Sequence, residues 1–73
     1  MKLEADVSLY NPEGNVSGVI VPIDPTKVSP DGESVRDFVR EGLENMFGHG
    51  FDNDDFDIWR LDEIVKALKG AGR

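Results

Sequence analysis

The sequence predicts an α+β fold: an N-terminal antiparallel β-hairpin packed against two α-helices, in the order ββαα. Three observations carry this. Leu3, Ala5, Val7 and Leu9 alternate with Lys2, Glu4, Asp6 and Ser8, the period of a strand with one buried face. Val35, Phe38, Val39, Leu43, Met46 and Phe47 recur at steps of three and four, the period of a helix with one apolar stripe. Ile58, Leu61, Val65 and Leu68 repeat the helical step near the C-terminus.

The first strand is followed by Asn11-Pro12-Glu13-Gly14, a turn with Asn at the first position, Pro at the second and Gly at the fourth. The chain returns through Val16 to Ile23, with β-branched Val19, Ile20 and Val21. Gly18 marks either a bulge or a close helix approach, and Pro22 points to a sheet edge because it cannot donate to a ladder. A hairpin alone is barely stable. The helix stripe is expected to cover Leu3, Val7, Leu9, Val19 and Val21.

Asp24 to Val28 connects the sheet to the helix, with Thr26-Lys27-Val28 a candidate short extended piece. Ser29 or Asp31 is the expected N-cap, with Pro30 in the first turn. Gly48 and then Gly50 mark the exit. Two readings stand for the last third. A single helix starting near Asp55 or Asp57 is favoured, because four apolar residues keep its period. It places Asp54, Asp55 and Asp57 at the positive helix N-terminus and Lys66 and Lys69 at the other end. The alternative makes residues 56–61 a short third strand and Asp62 the N-cap of a shorter helix. Residues 70–73 read as a frayed tail.

The chain of 73 residues reads as one domain, 1–73. A chain this short buries only about 60–65% of its unfolded surface, leaving roughly ten large apolar side chains as its core. There is no cysteine, so neither a disulfide framework nor a thiolate metal site is available. No apolar run has membrane-spanning length and no signal-peptide core is present, so the expectation is a soluble, cytoplasmic protein.

Candidate chemistry is sparse. A calcium loop starting at Asp52 puts Asp54 third and Glu63 twelfth, but Phe56 fifth and Asp57 sixth, where an oxygen ligand and a glycine belong. Moving the start to Asn53 puts Asp57 fifth and Ile64 twelfth. His49 is the sole histidine, too few for a zinc site. No serine lies in a nucleophile motif. The expectation is no enzyme, no cofactor and no metal. Trp59 reads first as a core residue and second as an interface anchor. Tyr10 falls on the strand face opposite Leu9 and is expected to be partly exposed.

Charge carries the functional signal. Fifteen acidic and eight basic residues give a net −7. That lacks the basic footprint of direct nucleic-acid binding. Arg36 can pair with Glu33, and Arg40 with Asp37 or Glu44, within the first helix. Residues 52–63 hold six acids and only Arg60, a local −5. Uncompensated like charge costs stability unless a basic partner relieves it. The leading expectation is a small acidic interaction protein, of the kind phage-encoded inhibitors represent. Asp52, Asp54, Asp55, Asp57, Asp62 and Glu63 would stand in for phosphates, with Phe51, Phe56 or Trp59 as apolar anchors. The partner would be a basic, nucleic-acid-binding surface of an RNA polymerase or nuclease, with an effect on transcription or nucleic-acid processing. The alternatives are an assembly subunit pairing through the hairpin edge and, last, a cation-binding domain.

Overall fold

A computed structural model describes residues 3–11 and 14–71, without the side chains of 11, 14 and 71. The order is β1 (Leu3–Asn11), β2 (Gly14–Ile23), α1 (Gly32–Phe47), β3 (Phe56–Trp59) and α2 (Leu61–Ala71). The sheet order is β2-β1-β3, with both pairings antiparallel. The α+β class and the hairpin stand as the sequence indicates. The tip, Pro12 and Glu13, lies outside the described residues.

β1 is the central strand. Its inward side chains, Ala5, Val7 and Leu9, are all buried. β2 opposes it with Val21 opposite Ala5 and Val19 opposite Val7, but the register then slips so that Val16 faces Leu9. Ser17 and Gly18 supply the extra residue of a β-bulge, and Gly18 takes φ 77°, a conformation open to glycine. Pro22 sits opposite Glu4 on an edge strand. Both positions therefore carry the roles their residue types suggest.

The connector is a turn and not an extended piece. Asp24 closes it, accepting from the Thr26 amide at 3.0 Å and the Thr26 hydroxyl at 2.6 Å. These bonds hold its carboxyl below the ordinary value. Asp31 is the N-cap of α1, accepting from the Ser34 amide at 2.8 Å and its hydroxyl at 2.9 Å. Pro30 therefore precedes the cap instead of entering the first turn. Gly48 ends the helix in the left-handed region, its amide donating to Glu44.

Val35, Val39 and Leu43 are the buried stripe of α1, with Phe38 packed at its margin. Met46 and Phe47 are 54% and 46% exposed, so the apolar residues of the last turn lie outside the core. The helix packs tightly on β2 at Gly42, where a Cβ would stand 2.8 Å from Cγ1 of Val21.

The favoured single C-terminal helix is corrected, and the alternative of a short third strand before a shorter helix is what the structure has. Phe56–Trp59 is a strand beside β1, with Phe56 and Ile58 inward and Asp57 and Trp59 outward. β1 has a second edge whose backbone groups need partners, and this non-local demand overrides the local helical period. Arg60 turns the chain at φ 54°, and its carbonyl accepts from the Glu63 and Ile64 amides. Asp62 lies within the first turn of α2 and is not its cap. Ile64 and Leu68 are buried, Leu61 and Val65 half-buried, and the helix continues through Gly70 to Ala71. Gly70 and Ala71 are thus helical, while 72 and 73 fall outside the described residues.

Leu43→Ala should cost about 2–5 kcal/mol in urea unfolding, whereas Met46→Ala should stay within about 0.5 kcal/mol. Equal losses would place Met46 in the core. Gly42→Ala should destabilise, because a clash worth about 1–3 kcal/mol with stiff, buried Val21 outweighs a helix-propensity gain of at most about 1 kcal/mol. In a Val21→Ala background the same change should become stabilising, a sign reversal that a double-mutant cycle reads directly.

Candidate functional site

The acidic segment begins on a moored loop. The Arg36 guanidinium donates to the Asn53 carbonyl at 2.8 Å and lies 5.4 Å from the Phe56 ring centroid. The Glu44 carboxylate accepts from the Phe51 amide at 3.0 Å and from Arg40 at 3.4 Å. Arg36 thus serves the loop instead of pairing with Glu33. Arg40 pairs with Glu44 and Asp37 as the spacing suggests. Within the loop, the Asp52 amide donates to the Asp55 carboxylate at 2.9 Å and the Asp55 amide to the Asp52 carbonyl at 3.0 Å. The Tyr10 amide donates to the Asp55 carbonyl at 2.9 Å, which joins the loop to β1.

Beyond the loop the acids separate. Asp52 and Asp54 are exposed at its tip, while Asp55 is half-buried and committed to the turn. Asp57 points from β3 to the outer face of the sheet, where the Tyr10 hydroxyl donates to it at 2.5 Å. Asp62 flanks a shallow groove with Gly32, Leu61, Val65, Lys66 and Lys69, so lysines neighbour it. Glu63 faces a different groove with Glu4, Asp6, Trp59 and Arg60. The six acids therefore fall in four places and not one: the loop, the outer sheet face and two separate grooves.

The aromatic candidates also divide. Phe56 is 1% exposed, because the strand turns it inward, and it is withdrawn from the contact set. Phe51 is half-buried in a surface cluster, 4.6 Å from His49 and 5.8 Å from Phe47 between ring centroids. Trp59 is 65% exposed, which corrects its assignment to the core. The Arg60 guanidinium lies 5.9 Å from the Trp59 ring centroid and 3.5 Å from the Glu63 carboxylate.

Sequence reasoning missed the outer sheet face as a site. Ile20 and Trp59 both stand opposite Asp6, making one row across the three strands. Glu4 lies opposite Pro22, and Asp57 opposite Ser8. Tyr10, Ile20 and Trp59 are exposed there. The signal was present in the polar half of the β1 alternation, which becomes part of a three-stranded face only once β3 is a strand. Among the described residues no group of three or more His, Cys, Asp or Glu side chains could hold a metal ion, and no polar side chain is buried. No described helix is long and apolar enough to cross a membrane. In comparisons with known proteins the chain matches no family model, no curated sequence and no solved structure.

The bond to Asp57 holds the Tyr10 hydroxyl above its ordinary value near 10, with desolvation and the negative charge adding to it. A raised folded value means that the bond's contribution is complete below pH 10 and is lost as pH rises through the folded value. Tyr10 is the only tyrosine, so absorbance reads its titration alone. Its midpoint should exceed that of the unfolded chain, and Asp57→Asn should bring the two together. Coincident midpoints in the parent protein would exclude the bond from solution.

Proposed function

We propose that this chain is a small acidic, non-enzymatic interaction protein that binds a basic, nucleic-acid-binding surface of a protein such as an RNA polymerase or nuclease and modulates it. The supporting observation is the placement of Asp52, Asp54 and Asp57. All three are exposed, and among the described residues none has a basic side chain within ion-pair distance. The loop that carries two of them is fixed by Arg36, Glu44 and the Tyr10 amide, so charge is presented on a rigid support. Preorganised charge of one sign raises association rates toward a basic surface and excludes nucleic acid itself. Asp62, Glu63, Phe51 and Trp59 extend the contact set, and Phe56 leaves it.

Assembly through the hairpin edge is less well supported. β2 offers only Val19–Val21 between its bulge and Pro22, too short a run for stable edge pairing.

Affinity for a partner captured with the tagged protein should fall steeply with salt, because exposed charges are screened over about 8–10 Å at physiological ionic strength. Asp52→Lys with Asp54→Lys should slow association more than it speeds dissociation. Glu41→Lys on α1 should matter less, and nucleic acid should compete. Salt-independent affinity with no effect of the Asp pair would remove the acidic segment from function.

A further inference from the structure

β1 has hydrogen-bonding neighbours on both sides, so the centre of the sheet can take a partner only on its outer face. α1 and α2 bury side chains against the inner face, and no described element covers the outer one. Exposed Tyr10, Ile20 and Trp59 give this face apolar grip at three separated points. Glu4, Asp6 and Asp57 stand among them, and no described basic residue lies within ion-pair distance of these three.

We infer that the outer face of the sheet docks one basic amphipathic α-helix of a partner protein, laid along β1. The inference rests on the basic-partner reading above and assigns it a surface and a secondary structure. Charge decides the occupant. A second copy of this chain would bring Glu4, Asp6 and Asp57 against themselves, and a nucleic acid would bring phosphates. A helix carrying Lys or Arg beside its apolar stripe satisfies both parts of the face. Geometry agrees: adjacent strands lie about 4.8 Å apart, so Ile20 and Trp59 are separated by roughly 10 Å, the width of one helix. A helix there completes a helix–sheet–helix layering.

The test uses a fluorescein-labelled helical peptide of about 18 residues, roughly five turns, with Leu at steps of three and four and Lys between. One control places the same residues in strict alternation, and another replaces Lys with Glu. The Leu/Lys helix should raise anisotropy saturably and shift emission of Trp59, the sole tryptophan, to shorter wavelength. Glu4→Lys with Asp6→Lys should weaken it about tenfold or more, and the neutral pair Glu4→Gln with Asp6→Asn by less. Circular dichroism melts check that each variant folds. Equal binding of the alternating peptide, unmoved Trp59 emission, or indifference to both Glu4/Asp6 pairs overturns face docking. If instead Asp52→Lys with Asp54→Lys alone abolishes peptide binding, the face is excluded while the basic-partner reading survives. Loss of salt dependence toward the captured partner itself would overturn that reading.

Discussion

A three-stranded sheet has two faces, and this chain has apolar material to seal one of them. Twelve apolar side chains are buried among the described residues, and every one lies between the inner sheet face and the two helices. Burial at about 25 cal/mol per Å² is the main favourable term in so small a domain, so both helices are needed on the same side. The outer face is left to solvent, and its residues are chosen under different rules. Carboxylates on β1 and β3 keep it wet, while Tyr10, Ile20 and Trp59 remain exposed among them.

α1 links that core to the surface charge. Its buried stripe rests on the sheet, and Gly42 lets its backbone come close to Val21. From its flank, Arg36 and Glu44 reach the backbone of the loop that carries Asp52 and Asp54. The loop is thus held by side chains of a helix whose buried stripe is packed on the core.

Much of the first two-thirds was legible because its signals are local. Alternation in β1, the freedom of Gly18, the missing donor of Pro22, the carboxylate of Asp31 and the left-handed Gly48 each act within a few residues. Where two local answers competed, as with Ser29 and Asp31, only the assembled turn decided. Residues 56–59 were misread for a physical reason. Ile58, Leu61, Val65 and Leu68 keep a helical step, and nothing near them in sequence reveals that β1 lacks a second neighbour. Residue type alone puts Trp59 inside, and its place among the aspartates puts Phe56 at the surface; the alternation of the strand reverses both. The acids suffered similarly: Asp62 and Glu63 are adjacent in sequence, yet the helix turns them into separate grooves.

The pairing of β1 with β3 also joins segments separated by about fifty positions. Closing so long a loop delays that contact relative to the hairpin, which forms from neighbouring residues. As the chain is synthesised from its N-terminus, β1 can acquire β2 early while its other side still presents free amide and carbonyl groups. Such an edge is a template for pairing with any extended chain nearby. Phe56–Trp59 therefore acts as the protein's own edge protector, and the interval before it arrives is when the nascent chain is most exposed to misassembly.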